Sequence, residues 1–180
     1  MPWKNGGGST TEIAIGPAGA SLDAFDWRIS MARVATDGPF STFDGIDRTL
    51  AVIKGGGMEL TIGDQAAVVL GSDTAPLAFP GDVPTTARLL AGEITDLNVM
   101  TRHGRYAHRV LRATQQMDCA FDGDDLAIVV SFGGTTEVSL PSGHAILGNT
   151  DAVLIEAGET PTFQVDPASD CYLVWLRAAE

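Results

Sequence analysis

The sequence has little of what metal, redox and nucleic-acid chemistry requires. Of 180 residues, three are histidine (His103, His108, His144) and two are cysteine (Cys119, Cys171). Zinc and iron sites need three or four converging ligands. No His-x-His pair occurs anywhere in the chain, so the expectation is no metal and no cofactor. Basic residues are also scarce, 11 against 23 acidic ones, for a formal net charge of -12. Such a surface repels phosphate backbones and excludes a general nucleic-acid binder. No apolar run approaches the roughly 18 residues of a membrane helix. The opening Met1 to Gly8 has no hydrophobic segment behind it and does not read as a secretion signal, so a cytoplasmic location is expected. Cys119 and Cys171 then read as two core thiols in a reducing compartment. No Gly-x-Ser-x-Gly elbow is present. Gly55-Gly56-Gly57 lacks the Gly-Lys-Ser/Thr of a phosphate loop.

Helical periodicity is scarce too, and short strands take its place. Val52–Ile53, Met58 to Ile62, Ala66 to Leu70 and Leu77 to Phe79 are apolar segments bounded by glycine or Gly-Asp turns. Leu126 to Phe132, Glu137 to Leu140, Ala145 to Leu147, Val153 to Ile155 and Cys171 to Leu176 repeat the pattern. Turn signals every 8–12 residues indicate an all-β sandwich or barrel. Thr85 to Leu90, after Pro84, reads as a turn or short helix. Asp96 to Gln116 reads as a long β-hairpin turning at His103-Gly104.

The chain also matches itself. Shifted by 77 positions, Gly56-Gly57 falls on Gly133-Gly134, Leu70-Gly71 on Leu147-Gly148, Leu77 on Leu154, and Pro84 on Pro161. Matched glycines suggest one turn geometry used twice. The expectation is two fused β modules, an N-terminal one over 1–110 and a C-terminal one over 111–180, exchanging strands.

Several blocks carry a family resemblance. They are Pro2-Trp3-Lys4-Asn5-Gly6-Gly7-Gly8, Phe25-Asp26-Trp27-Arg28-Ile29-Ser30-Met31-Ala32 and Asp37-Gly38-Pro39-Phe40-Ser41. Phe43-Asp44-Gly45-Ile46-Asp47-Arg48, Phe79-Pro80-Gly81-Asp82 and Asp96-x-Asn98-x-Met100-x-Arg102 complete the set. In order and content they resemble the HutD/Ves family of bicupin-like proteins. The resemblance implies two fused cupin-like β-barrel or β-sandwich modules of the RmlC-like jelly-roll kind. It also implies a link to bacterial histidine utilisation and a ligand such as formylglutamate, formiminoglutamate or urocanate, with a regulatory or flux-tuning role. Two features depart from the family pattern: the chain starts almost on the Trp-Lys-Asn block, and His103 stands where a second arginine is expected. A metal-binding cupin would carry a His-x-His pair in the first module, but Gly57 to Leu70 holds no histidine.

The remaining chemistry is cationic and amide-bearing. On a strand, Arg28 and Ser30 share one face, as do Asn98, Met100 and Arg102. If those faces line one barrel, the interior is polar and positively biased. Arginine binds carboxylates through paired hydrogen bonds, and asparagine orients amide or formyl groups. The candidate ligand residues are therefore Lys4, Asn5, Arg28, Ser30, Arg48, Phe79, Asn98, Met100 and Arg102, for a small anionic metabolite. The competing reading has Arg28 and Arg48 paired with Asp26, Asp47 or Asp82 at the surface, Trp3, Trp27 and Trp175 in the core, and Phe79 as a core plug. A second basic cluster, Arg102 to Arg112, shares one face if helical, and faces an acidic partner or pairs with Asp96 and Asp118. Binding without catalysis is the leading expectation. A metal-independent isomerase or hydrolase and an interaction protein with a vestigial pocket stand as alternatives. Exposed strand edges would allow a homodimer.

Overall fold

A computed structural model describes residues 1, 3, 7–158 and 161–179. Among them every regular element is a strand. The chain divides into two compact units, Met1–Arg105 and Tyr106–Glu180, so the boundary falls before the expected position 110.

The first unit contains β1 (Gly8–Gly16), β2 (Trp27–Val34), β3 (Gly38–Pro39), β4 (Ile46–Gly55), β5 (Met58–Ile62), β6 (Val68–Leu70), β7 (Leu77–Pro80), β8 (Thr85–Leu89) and β9 (Ile94–Arg102). They form two antiparallel sheets, ordered β1-β2-β9-β4-β7 and β3-β8-β5-β6. Between them Ala32, Val34, Leu50, Val52, Phe79 and Ile94 pack on Met58, Leu60, Ile62, Leu70 and Ala87. Trp3 lies half-buried against that core, its indole N–H donating to Thr10 Oγ1 at 2.8 Å.

The second unit contains β10 (Tyr106–Ala113), β11 (Met117–Ala120), β12 (Leu126–Phe132), β13 (Thr136–Leu140), β14 (Gly143–Leu147), β15 (Ala152–Glu156), β16 (Thr162–Pro167) and β17 (Asp170–Ala178). Its sheets run β10-β17-β12-β15 and β11-β16-β13-β14. Cys119, Cys171, Val129, Val138, Leu173, Phe163 and Trp175 fill its core.

The two orders are the same order twice, with β1 added in the first unit. The register repeats as well: Leu50 stands opposite Asn98 in the first unit, and Ala127 opposite Trp175 in the second, each 77 positions on. The glycines that suggested the repeat do not carry it. Gly57 takes a φ of 89°, but its counterpart Gly134 has no positive φ; Gly133 has one (73°), and its counterpart Gly56 does not. What is duplicated is strand order and pairing, which burial of one face enforces, while the turns have drifted. All strand pairings among the described residues lie inside these four sheets.

Two further expectations are corrected. Thr85 to Leu89 is a strand, because Thr85 and Ala87 point inward and Thr86 and Arg88 outward. That period of two, with two β-branched residues, outweighs the helix-permitting Pro84. The chain does turn at His103-Gly104, but β9 and β10 do not pair as a hairpin. β9 pairs with β2 and β4, and β10 with β17.

Candidate functional site

The middle of the five-stranded sheet sets the site by register alone. Three rows cross β2, β9 and β4 on the inward face. The first is Ala32, Asp96, Val52; the next is Ser30, Asn98, Leu50; the third is Arg28, Met100, Arg48. Phe79 of β7 lies opposite Arg48. The two faces expected to line one interior thus belong to adjacent strands of one sheet.

Arg48 is 7% exposed. Its Nε donates to Asn98 Oδ1 at 2.7 Å, and its Nη2 donates to the same oxygen. The guanidinium lies between two rings, 4.7 Å from the Phe40 centroid and 5.5 Å from that of Phe79. Among the described residues it makes no ion pair within 4 Å. Burial pulls its pKa down to about 10, against the opposing pull of Asp96.

Asn98 passes the connection on, its amide N–H donating to Asp96 Oδ1. Asp96 is 1% exposed, and its Oδ2 has no hydrogen-bond partner among the described residues. Burial raises its carboxyl to about 7, opposed by the Arg48 charge, a backbone bond from Ala32 and the Asn98 amide. Arg28, 5% exposed, donates from Nε to Glu12 Oε2 at 2.9 Å and from Nη1 to Ser30 Oγ at 3.4 Å. Glu12 stands opposite Ser30 on β1, just before a bulge, and its side chain is 43% exposed.

Arg28, Ser30, Arg48, Phe79, Asn98 and Met100 therefore come together. The surface-pairing reading of Arg28 and Arg48 is corrected: both are buried, while Asp47 pairs with His103 and Asp26 with Arg105. Arg102 follows Met100 on the same face, but its Nε and Nη2 donate to the carbonyls of Phe25 and Asp23, at 2.9 and 3.1 Å. It is occupied in holding residues 23–25. Lys4 and Asn5 lie outside the described residues. Three members of the cluster were missed. Asp96 has the parity of Asn98 and opens the same motif; Phe40 lies in the quoted Asp37–Ser41 block; Glu12 carried no signal, since only β1 pairing brings it to Arg28.

The second unit does not reproduce the face. At the positions equivalent to Arg48, Asp96, Asn98 and Met100 stand Asp125, Leu173, Trp175 and Arg177. Trp175, 2% exposed, fills the interior beside Phe163 at 6.4 Å. An open cleft of about 440 Å³ in this unit is lined by Asp118, Ser139, Thr162 and Gln164, among others. Its one charged group, Asp118, already accepts from Gln164. The buried charges of the first unit make the stronger candidate, because desolvated charge is what an anion site needs.

The second basic cluster is a set of local pairs. Arg109 contacts Asp124 at 2.7 Å and stacks on Trp175 at 3.7 Å; Arg112 contacts Asp170 at 2.7 Å. Three residues apart on strand β10, these two arginines face opposite ways and share no helical face. Their partners are not Asp96 and Asp118. Both cysteines are free and buried, and burial pushes Cys119 to about 11 and Cys171 to about 12. Among the described residues, no group of three or more His, Cys, Asp or Glu is placed to hold a metal ion, and no helix is long and apolar enough to cross a membrane.

The model of the HutD family matches residues 1–173. The chain belongs to the HutD family. Two curated relatives match part of it: a Pseudomonas putida protein described as an uncharacterized 21.2 kDa protein in the hutC 3′ region, and the Ves protein of Escherichia fergusonii. The first is 42% identical over 61% of this chain, the second 39% over 56%. The match spans 57% and 51% of the lengths of those relatives, little over half. The solved structure of HutD from Pseudomonas fluorescens SBW25 superposes with a TM-score of 0.87 at 32% identity, covering 100% of this chain and 94% of that one. A cupin 2 conserved barrel protein from Leptotrichia buccalis superposes at 0.56 with 10% identity, over 95% of this chain and 88% of its own, and shares the fold alone. The HutD-family chain is thus an all-β bicupin.

Proposed function

We propose that this protein binds a small carboxylate-bearing metabolite of the formylglutamate, formiminoglutamate or urocanate class on the inward face of its first unit. It does so in the cytoplasm, as a regulator or flux tuner of histidine utilisation. The carrying observation is Arg48: a buried guanidinium whose hydrogen bonds among the described residues go to a neutral amide oxygen. A buried cation without a carboxylate against it is strongly destabilising, and a ligand carboxylate in paired contact relieves that. Arg28 and Ser30 flank the same rows, and the Phe40 and Phe79 rings lie against the fork. The pathway assignment draws support from the hutC-region relative.

Calorimetry against formylglutamate, formiminoglutamate, urocanate and histidine tests the reading. Saturable binding of at least one, abolished in Arg48→Met but not in Arg102→Met, is expected. Failure of all four with folded protein sinks it. Product formation in the same mixtures would replace binding with catalysis.

A further inference from the structure

A ligand carboxylate changes the charge balance of this cluster, and Asp96 is the group that must respond. With both acids ionised, Arg28 and Arg48 stand against Glu12 and Asp96 in this cluster, while Arg102 on the same face is engaged by the carbonyls of Phe25 and Asp23. A bound anion upsets that balance. Glu12 lies directly against Arg28 with 43% of its side chain in solvent. Asp96 is enclosed, and the Arg48 charge reaches it only through Asn98.

Among the described residues, the surroundings of Asp96 offer no other compensating charge. Arg28 and Ala32 come from β2, Arg48 and Val52 from β4, Asn98 from its own strand, and Glu12 from β1. The facing sheet presents Met58, Leu60, Leu70 and Ala87, all apolar. Its charged pair, Arg88 and Glu59, contacts itself, Arg88 being exposed. Among the described residues Asp96 Oδ2 has no hydrogen-bond partner, so a proton can be added there without breaking a bond to any of them.

We infer that Asp96 couples anion binding on this face to the uptake of one proton, so that the site takes its ligand as an anion together with a proton. The inference rests on the anion-binding reading above. A ligand carboxylate engaging Arg48 withdraws the one charge that favours ionised Asp96 and adds a like charge nearby. Both effects favour the protonated acid. Since burial already holds this carboxyl near neutrality, the exchange falls in the physiological range. Asp96 acts through Arg48 and Asn98; it is a positioning residue whose signature is a pH profile.

The test uses the full chain and N-formylglutamate, whose blocked amine and carboxylates do not titrate between pH 6 and 8. Calorimetry in phosphate and in Tris, which differ in ionisation enthalpy, counts the protons exchanged. At pH 8 the expected uptake approaches one proton per ligand, and the affinity falls up to about tenfold per pH unit above neutrality. Asp96→Asn, similar in size and neutral, should keep the pH 6 affinity and lose both the uptake and the slope. If that variant does not fold, the protonated-carboxyl infrared band that ligand raises in the wild type decides in its place. Binding without buffer-dependent heat, or an Asp96→Asn profile parallel to wild type, overturns the role of Asp96 and leaves the binding reading standing. No binding at any pH overturns both.

Discussion

Replacing Arg48 with methionine removes a buried charge while keeping most of the side-chain volume, and its cost should depend on pH. In acid, Asp96 is neutral in both proteins. The variant then loses the two bonds to Asn98 and the stacking on Phe40 and Phe79, offset by relief of the buried charge's desolvation, for a net change of at most about 1–2 kcal/mol. Above the wild-type value of about 7, the wild-type acid ionises against Arg48. The variant acid has no such partner and keeps its proton. The variant therefore binds more protons in its folded state than wild type does, while the unfolded chains match. Its relative stability must then fall as pH rises, by up to about 1.4 kcal/mol per pH unit. The limit is the roughly 3–5 kcal/mol expected when a buried pair is broken. Urea denaturation at pH 5.5 and 8.5 reads the difference directly, with about 2 kcal/mol of extra loss expected at the higher pH. In thermal melts this is an extra drop of about 4–8 °C. Equal losses at both pH values would refute the claim that Arg48 and Asp96 balance each other.

The other expectations concern groups near or away from this pair. Arg102→Met should lower stability by about 1–2 kcal/mol in denaturant melts, since its fork holds the carbonyls of Phe25 and Asp23; ligand affinity should change less than about threefold on the reasoning that this fork is already occupied. Cys119 and Cys171 should resist Ellman's reagent at pH 8 in the folded protein and react fully in guanidinium, because burial lifts both thiols to about 11 and 12 and the thiolate is the nucleophile; rapid native labelling would contradict their placement in the core. Trp175→Phe should cost less than about 2 kcal/mol and Trp175→Ala about 3–5, because the indole N–H is buried without a hydrogen-bond partner among the described residues; a larger loss for phenylalanine in chemical denaturation would point to a bond to that N–H.

The strands were legible because burial of one face leaves a pattern that turn residues punctuate, and Leu126 to Phe132 matches β12 residue for residue. Pairing was less legible. Asp96 to Gln116 looked like a hairpin because two strands flank a tight turn, yet each strand finds its partners far along the chain. The site was legible to the extent that parity is: Arg28 with Ser30, and Asn98 with Met100, were placed correctly by alternation alone. Which face points inward was not, because both faces of β2 and β9 are largely buried. Ile29, Leu97 and Val99 on one side are as enclosed as Ser30, Asp96 and Asn98 on the other. Glu12 was invisible for a different reason: only the β1–β2 register brings it beside Arg28.

The duplicated fold sharpens what that polar face means. One architecture is built twice, and the same register positions hold Leu173 and Trp175 in one unit but Asp96 and Asn98 in the other. The apolar version shows that these positions need no polar side chain to close the fold: Trp175 and Leu173 pack there with Phe163, Val129 and Cys171. Buried polar groups cost stability relative to such packing. At the positions that Leu173 and Trp175 fill in the second unit, the first therefore carries an acid and an amide, and that amide accepts from the buried Arg48 guanidinium. Within a chain of net charge -12, the two arginines enclosed there run against the sign of the whole. The proposed anionic ligand would account for both the departure from the apolar version and its sign.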